Sequence, residues 1–340
     1  MPELKFAILG AGFWSQFQLA GWREAGGADC VAVCDRIRAK AEALAQRFGV
    51  PRVYDDPVKL LENEELDFID IITSVETHSP LVHLAAERGL NVVCQKPMGV
   101  SLSEAERMVQ TCHDAGAKLL INENWRWQHP LRQFKRQLDS GRIGQPFRAR
   151  IHYANSFPVF DNQPFLKNLE QFILTDIGSH ILDTARFLFG DAHNLYCQIH
   201  RIHPDIKGED VATVMMNMGE NITVTCEMSY ASRTEIERFP ETYVYVEGSA
   251  GFLELGPDYW IRETTVQGTL AKRYPPPRYP WADPAYDLIH ASIVPCQTDL
   301  LKDLKGEGVA ETNGDDNLKT CRLYFGAYES AARDTVLHFD

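Results

Sequence analysis

The chain has 340 residues, of which 44% are hydrophobic and 24% are charged, and its formal net charge is −13. This length is too great for one ordinary hydrophobic core and predicts two domains, while the composition is that of a globular protein. The acidic balance argues against nucleic acid as a partner, because a phosphate backbone would be repelled. No apolar run approaches the roughly 18 residues that a membrane span needs, so we predict no membrane association.

The N-terminus and the cysteines indicate the cellular compartment. MPELKFAILGAG contains no small-residue pattern of the kind that marks a cleaved export signal. The eight cysteines are scattered, without a C-x-x-C pair or a His/Cys cluster at metal-ligand spacing. We therefore predict reduced thiols, a cytoplasmic location and no metal site.

The first part of the chain alternates short β-branched runs with amphipathic stretches, which predicts βαβ units around a parallel sheet. Gly49, Gly89 and Gly116 stand where the intervening helices should end. The predicted strands are residues 4–10, 30–35, 67–73, 91–95 and 118–122. We therefore predict an α/β domain over residues 1–125, with a doubly wound, Rossmann-type parallel sheet.

The second part of the chain follows a different pattern from about residue 148 onward. Long alternating runs joined by turns predict a large, open and mostly antiparallel sheet. Residues 175–190 and 317–334 have helical patterns, whereas the proline-rich stretch 273–284 is expected to be an extended loop. We predict an α+β domain over residues 126–340 that binds substrate and forms oligomers, with the helix at 317–334 packing back on the first domain.

The first predicted strand runs into the sequence GAGFWS. Gly10 and Gly12 occupy the first two positions of the dinucleotide-binding fingerprint, and Ser15 is a small residue at the third. Such glycines let the backbone approach a pyrophosphate, and the helix that follows supplies free N–H donors. We predict a cofactor-binding turn that includes Phe13 and Trp14, the alternative being a tight turn without a ligand.

Asp35 ends the second predicted strand and is the candidate partner for the adenosine ribose. Its carboxylate would accept hydrogen bonds from the ribose hydroxyls and repel a 2′-phosphate, which favours NAD over NADP. Arg36 and Arg38 lie beside it in the sequence and could instead bind a 2′-phosphate. We predict NAD, with NADP as the less favoured cofactor.

Two further motifs carry chemistry. Lys96 and Pro97 directly follow a buried strand, where the crevice at the carboxyl ends of a parallel sheet binds ligands. Asp176 and His180 are four residues apart on a predicted helix and therefore share one face. Alone, this pair would more often be a hydrogen-bonded helix pair than a catalytic one.

These motifs, together with G-R-I-G at residues 141–144, resemble the Gfo/Idh/MocA oxidoreductase family over essentially the whole chain. The resemblance implies that Lys96 faces the nicotinamide cleft and that Pro97 turns the chain, through a cis peptide in one reading. The family tripeptide is usually E-K-P, and Gln95 in place of Glu removes a negative neighbour of Lys96. Cofactor contacts are expected from Thr73, Thr77, His78, Gln95 and Lys96.

The mechanism implied by the resemblance is hydride transfer from a carbinol carbon to the nicotinamide, without a metal. His180 is the candidate general base, because an imidazole ordinarily titrates near neutral pH. Lys96 would hydrogen-bond the same hydroxyl oxygen, and Asp176 would position the substrate or the other two side chains. Asp183 lies one turn further along the helix, toward the same face.

The expected substrate is a sugar. Asn124, Trp125 and Arg126 follow a predicted strand, and aromatic faces beside polar groups suit a polyhydroxylated ring. Within the family, the resemblance is greatest to members that oxidise D-apiose at the anomeric carbon to a lactone; inositols, other aldoses and sugar acids are alternatives. Weaker positional candidates are Phe157, Phe160, Trp281, Asp283 and His290.

Two rival functions remain open, and the chain is expected to form an oligomer. The chain could be a sugar sensor that binds nucleotide without catalysis, or an enzyme that uses its cofactor transiently and releases no NADH. The intact set of Lys96, Asp176 and His180 favours catalysis. The exposed face of the second-domain sheet predicts a homo-oligomer, either a dimer or a tetramer.

Overall fold

The computed structural model describes residues 3–234 and 239–339, which form two compact units. The first unit comprises residues up to Asn124, Pro280–Ala282 and Ile293–Cys321. The second comprises Trp125–Tyr279, Asp283–Ser292 and residues from Arg322 onward. The domain limits at 125 and 126 and the docking of the last helix stay predictions.

The first unit alternates strands and helices as its sequence pattern predicts. Its strands are β1 (Leu4–Leu9), β2 (Ala28–Cys34), β3 (Arg52–Tyr54), β4 (Phe68–Ile71), β5 (Asn91–Gln95) and β6 (Leu119–Asn122). Its helices are α1 (Ser15–Ala25), α2 (Arg38–Phe48), α3 (Pro57–Asn63), α4 (His78–Ala86) and α5 (Leu102–Asp114).

The six strands form one parallel sheet in the order β3-β2-β1-β4-β5-β6. This is the doubly wound order, in which the direction of winding reverses between β1 and β4. Phe6 of β1 stacks on Phe68 of β4 at 4.8 Å, and the ring of Trp22 lies 5.4 Å from Phe68. The reversal point, where such sheets bind their ligands, is thus built on a fully buried aromatic core.

Helix ends in this unit follow from local chemistry. Gly49, Gly89 and Gly116 have φ of +64°, +66° and +65°, in the left-handed region that glycine adopts without strain, and each follows a helix. Their predicted capping role is confirmed. At the start of α5, Ser101 accepts a hydrogen bond from the Glu104 backbone N–H, as an N-cap serine does.

The second unit is built on one large sheet. Its strands are β7 (Pro146–Ala154), β8 (Ala192–His200), β9 (Val211–Met218), β10 (Ile222–Ser229), β11 (Tyr243–Gly248), β12 (Gly251–Gly256), β13 (Trp260–Thr265), β14 (Gly268–Arg273) and β15 (Leu337–His338). The second unit also contains the helices α6 (His129–Asp139), α7 (Val159–Asn162) and α8 (Ser179–Phe189). Two further helices, α9 (Asp287–Leu304) and α10 (Gly314–Arg333), each contribute residues to both units.

The nine strands are ordered β14-β13-β12-β11-β7-β10-β9-β8-β15, and β7 and β10 are the parallel neighbours in an otherwise antiparallel sheet. Burial alternates along β9 and β10, so one face of the sheet is covered and the other is open. α8 packs on β7 and β10 on the covered face. The predicted open, mostly antiparallel sheet is confirmed.

Several elements were not anticipated from the sequence, among them β3, β14, β15, α7 and α9. β3 and β15 have three and two residues, too few for an alternating pattern to be read. β14 is exposed along its whole length and therefore has no apolar face. α9 contains Pro295, a residue that ordinarily breaks helices.

Within residues 3–234 and 239–339, no helix is both long and apolar enough to cross a bilayer.

Candidate active site

The turn after β1 lies at the reversal point of the first sheet. Gly10 has φ +103°, and a Cβ atom there would stand 2.6 Å from the carbonyl oxygen of Ile72, which follows β4. Only glycine fits this close approach of the two strand ends. A Cβ atom on Gly12 would meet nothing within 4 Å, so the backbone faces open space before α1 begins.

Asp35 binds the same turn from the end of β2. Its Oδ2 accepts a 2.7 Å hydrogen bond from the Ala11 backbone N–H, and its Oδ1 accepts one of 2.7 Å from Ile37. Each carboxylate oxygen can accept a further bond. Arg38 is paired with Glu42 at 2.9 Å and approaches Asp55 at 4.0 Å, whereas Arg36 is exposed.

This arrangement fits a dinucleotide. The open backbone at Gly12 and the N–H groups at the start of α1 suit a pyrophosphate, and the free acceptor capacity of Asp35 suits ribose hydroxyls. The ring of Phe13 is 40% exposed and packs edge-on against Phe17 at 5.5 Å. The structure thus brings the predicted cofactor residues of the first two strands into one place.

Lys96 follows the end of β5 and is half-buried. The Lys96–Pro97 peptide is cis, as one reading of the resemblance anticipates. Before it, the Gln95 side-chain amide donates to the Gln18 Oε1 at 3.3 Å.

His78 fixes the far side of this turn. Its Nδ1 lies 3.1 Å from the carbonyl oxygen of Pro97 and 3.3 Å from that of Met98, while Nε2 lies 3.2 Å from the carbonyl oxygen of Thr73. The side chain is 1% exposed, and burial lowers its pKa, which favours the neutral ring. A neutral ring carries one N–H, and with that proton on Nδ1 it donates to the loop after β5, so His78, which follows the loop after β4, joins the two loops. Thr77 donates to the Thr73 hydroxyl at 2.7 Å on the exposed part of the first loop.

In the second unit, Asp176 lies in a π-helical turn, Leu174–Gly178, which runs directly into α8. π turns occur mostly as single insertions in helices and are frequent at functional sites. His180 is in the first turn of α8 and is 5% exposed. The predicted proximity of Asp176 and His180 on one helical segment is therefore present, with a wider turn than expected.

A buried tyrosine orients Asp176. The Tyr230 hydroxyl, just after β10, donates to the Asp176 Oδ2 at 3.1 Å. The ring stacks on Phe172 at 5.6 Å and meets Tyr153 edge-on at 5.8 Å. Burial and the neighbouring Tyr153 and Asp176 raise the Tyr230 pKa far above its ordinary value, so the hydroxyl keeps its proton and acts as a donor.

A tryptophan orients His180. The Trp125 ring stacks on the imidazole, with centroids 4.4 Å apart and planes at 20°. Its indole Nε1 donates to the Thr242 hydroxyl at 3.1 Å, and the side chain is 2% exposed. The predicted substrate role of Trp125 is untested, but its packing gives it a clear part in fixing His180.

Arg126, another predicted substrate residue, forms a buried ion pair with Asp183 of α8. Its Nε donates to Oδ2 at 2.7 Å and its terminal nitrogen to Oδ1 at 2.5 Å. Arg126 is 5% exposed and Asp183 is fully buried. This bidentate pair ties the turn that follows β6 to the helix that carries His180. Asn124, the last residue of the first segment of the first unit, is buried.

The weaker sequence candidates are dispersed. Phe157 and Phe239 stack at 4.1 Å and line a cavity of about 590 Å³ in the second unit. Phe160 packs against Phe172 at 5.5 Å. Trp281 donates to Glu24 in the first unit at 3.4 Å. In the second unit, the Asp283 backbone N–H donates to the His290 Nδ1 at 3.0 Å.

Two residues at this site were missed by sequence reasoning. Glu209, buried and far along the chain, accepts backbone N–H bonds from Phe172 at 3.2 Å and Leu174 at 3.1 Å. It thereby caps the helical segment that carries Asp176. Neither Glu209 nor Tyr230 belongs to a spaced motif, and only the position of Tyr230 at a strand end was a usable signal.

Among residues 3–234 and 239–339, no three His, Cys, Asp or Glu side chains are placed to hold a metal ion. All eight cysteines are buried free thiols. The expectation that the reaction needs no metal stays a prediction.

Two family models match this chain. Residues 4–123 match the oxidoreductase family model with an NAD-binding Rossmann fold, and residues 131–254 match the GFO/IDH/MocA C-terminal domain. The cofactor is accordingly NAD.

Similar proteins cover nearly the whole chain. The D-apiose dehydrogenase of Paraburkholderia graminis is 41% identical over 97% of this chain and 88% of that protein. The D-apiose dehydrogenase of Rhizobium rhizogenes is 39% identical over 98% of this chain and 96% of that protein. The crystal structure of an oxidoreductase from Agrobacterium radiobacter, in complex with NAD+, L-tartaric acid and magnesium, superposes with a TM-score of 0.97 at 38% identity, covering 99% of this chain and 98% of that one. With this fold, this cofactor turn and these matches, the chain belongs to the Gfo/Idh/MocA family of NAD-dependent oxidoreductases acting on CH–OH groups.

Proposed function

We propose that this protein oxidises D-apiose at the anomeric carbon to the lactone, with NAD as the hydride acceptor. The observation that carries the proposal is the similarity to two D-apiose dehydrogenases at 41% and 39% identity over nearly the full chain. The chemistry agrees, because a cyclic hemiacetal carbon gives up hydride readily and the lactone needs no added water.

Three side chains are proposed to act on the substrate. Lys96 donates a hydrogen bond to the anomeric hydroxyl oxygen and stabilises the negative charge that develops there. An imidazole nitrogen of His180 accepts the hydroxyl proton as the C–H bond breaks. Asp176, held by Tyr230, orients the sugar or the other two groups. When bound, the nicotinamide supplies the electron-pair acceptor for this oxidation.

The residues proposed to hold the cofactor come from the first unit. Gly10, Gly12 and the start of α1 bind the pyrophosphate, with Phe13 and Trp14 beside it, and Asp35 binds the adenosine ribose. Thr73, Thr77 and Gln95 line the nicotinamide end. Arg38 is engaged with Glu42, and the Asp35 carboxylate would repel a 2′-phosphate, which together support NAD.

The substrate is tested by following NADH absorbance with NAD and a panel of D-apiose, common aldoses, inositols and sugar acids. Turnover of D-apiose well above that of every other sugar is the expected result. Preferred turnover of an inositol or another aldose would replace the substrate but keep the reaction class. No turnover by a protein that still binds NAD in a thermal-shift assay would favour a sensor or a transient use of the cofactor.

The catalytic assignment is tested by K96A and H180A. Each should lower kcat about 100-fold or more, the usual contribution of acid–base catalysis, while NAD binding remains. H200A, in β8, is the control and should behave as wild type. Near-normal turnover by either K96A or H180A would overturn the assignment of that residue.

We also propose that a second copy of the chain covers the open face of the large sheet, in a dimer or tetramer. That face combines the aromatic residues Tyr245 and Phe252 with the ion pairs Arg148–Glu247 and Arg150–Glu227, and aromatic residues and arginine are enriched at interfaces. Light scattering on wild type and Y245E tests this, since a monomeric wild type would contradict it.

The eight buried free thiols support a cytoplasmic location.

A further inference from the structure

A chain of polar side chains crosses the core of the first unit. Asp70 of β4 is fully buried, and its Oδ2 accepts hydrogen bonds from the Trp22 Nε1 at 2.7 Å and the Gln18 amide at 3.2 Å. The Gln18 Oε1 in turn accepts the Gln95 amide at 3.3 Å. Gln95 ends β5 and directly precedes Lys96.

The hydrogen bonds in this chain have one direction. An indole nitrogen is only a donor, so Trp22 fixes the Asp70 Oδ2 as an acceptor. When Asp70 is ionised, the Gln18 amide nitrogen must therefore face it, which leaves the Gln18 oxygen to face Gln95. The Gln95 side chain has to donate, and every donor along the chain points toward Asp70.

The surroundings hold this chain in place. The Gln297 amide of α9 donates to the Gln18 backbone carbonyl at 2.9 Å, so Gln18 is anchored by main chain and side chain together. On the other side of Lys96, the His78 ring contacts the Pro97 carbonyl at 3.1 Å. Lys96 thus stands between two buried anchors, one on Gln95 and one on Pro97.

We propose that Asp70 is a positioning residue for Lys96, acting through Gln18 and Gln95, and that this chain requires an amide rather than a carboxylate at position 95. A carboxylate there could not donate, so the Gln18 amide would turn over. The Gln18 oxygen would then lie about 3.2 Å from the Asp70 Oδ2. Two acceptors at this distance repel each other unless Asp70 carries a proton. The proposal rests on the proposed catalytic role of Lys96.

The groups around Asp70 make its proton titratable in an accessible range. β1 contributes the apolar Ile8, β2 and β5 contribute the thiols of Cys30 and Cys94, and α1 contributes the two donors named above. Burial raises the Asp70 pKa to about 7, against the lowering effect of those two hydrogen bonds. In Q95E, the hydrogen bonds that link Asp70, Gln18 and position 95 can therefore form below about pH 7, where Asp70 is protonated, and they break above that pH.

The test compares kcat and the KM for NAD from pH 5.5 to 8.5 for wild type, Q95E and Q95E/D70N. Relative to wild type, Q95E should lose about tenfold in kcat between pH 6 and pH 8, the expected effect of one opposed buried hydrogen bond, with little change in KM. Q95E/D70N should lose this extra pH dependence, because the amide that D70N introduces does not ionise. Without NAD, Q95E should melt at a lower temperature than wild type, and this difference in melting temperature should be larger at pH 8 than at pH 6. This readout does not depend on turnover.

Q110E is the matched control. The Gln110 amide also donates to an aspartate, Asp114, at 2.7 Å, but on the exposed surface of α5. The same amide-to-carboxylate change there should leave kcat and its pH profile as in wild type. If Q95E does not fold, Q95M, which removes the donor without adding charge, should lower kcat by a factor that does not vary with pH.

The outcomes separate the two proposals. A Q95E profile identical to wild type, with K96A inactive, would overturn the positioning role of Asp70 and leave the proposed function standing. An active K96A would overturn the proposed function itself. An extra pH dependence that persists in Q95E/D70N would show that Asp70 is not the titrating group and would also overturn this inference.

Discussion

At the scale of single residues, the two proposed catalytic groups of the second unit are held by aromatic side chains. Tyr230 supplies a charge-assisted hydrogen bond to Asp176, and Trp125 provides a flat surface for the His180 ring. Both aromatic residues are buried, so little of their position depends on solvent. The orientation of the polar groups is therefore fixed before any substrate binds.

Removing the Tyr230 hydroxyl should affect catalysis more than folding. Y230F keeps the ring contacts with Phe172 and Tyr153 but takes a donor from Asp176. A hydrogen bond to a charged group contributes about 1.5–3 kcal/mol, so kcat should fall about tenfold or more while the KM for NAD is unchanged. Steady-state kinetics measures this.

Y196F is the control for this change. The Tyr196 hydroxyl also donates to an aspartate, Asp334, but on the exposed side of β8. It should retain wild-type kinetics. Equal activity of Y230F and Y196F would contradict the role assigned to Tyr230.

At the scale of elements, α8 is fixed at its start from two directions. Glu209 caps the segment before it, and the Arg126–Asp183 pair attaches it to the turn that follows β6. The π turn at Leu174–Gly178 lies between these two attachments. A distorted helical turn persists where the surroundings hold both of its ends.

Breaking the Arg126–Asp183 pair should destabilise the second unit strongly. R126M leaves Asp183, which is fully buried, without its bidentate partner. Removing one member of a buried pair typically costs about 3–5 kcal/mol. Urea unfolding followed by circular dichroism should show a lower midpoint.

R333M provides the comparison, because Arg333 pairs with Glu329 at 2.6 Å on the exposed surface of α10, where water screens the charges. Its unfolding midpoint should match that of wild type. An equal fall in the unfolding midpoint of both variants would contradict the larger contribution to stability assigned to the buried pair.

At the scale of the whole molecule, the buried Asp70 should make global stability depend on pH. Its pKa is about 7 in the folded chain and 3.8 in an unperturbed carboxyl. Between these values the folded state holds a proton that the unfolded state has released. The free energy of unfolding therefore falls as pH rises through this window, and the contribution is fully present only below about pH 4.

D70N should remove this dependence. Between pH 5 and pH 8, wild type should lose about 3 kcal/mol of unfolding free energy that the variant does not lose, because the slope of roughly 1.4 kcal/mol per pH unit applies only up to about pH 7. Urea titrations of both proteins at the two pH values measure the difference. D67N, at an exposed position just before the same strand, should keep the wild-type slope.

Much of the fold could be predicted because its signals are local. The predicted strands at 4–10, 30–35 and 91–95 correspond to β1, β2 and β5, and the capping glycines ended their helices as expected. β14 escaped prediction because it buries no side chain, and α9 because Pro295 conceals a helix that its surroundings stabilise. Local patterns report burial and backbone preference, and both fail where tertiary packing overrides them.

The family, the cofactor turn and the spacing of Asp176 and His180 could be inferred from the sequence, because each rests on motifs whose residues are close together in the chain. The partners of these residues follow from tertiary packing: Tyr230 for Asp176, Trp125 for His180, Asp183 for Arg126, and the hydrogen bonds that link Asp70 to Gln95. These contacts join residues that are distant in sequence. Hydrogen-bond and ring-packing geometry between such residues exists only after the sheets and helices have assembled, and no spacing along the chain encodes it.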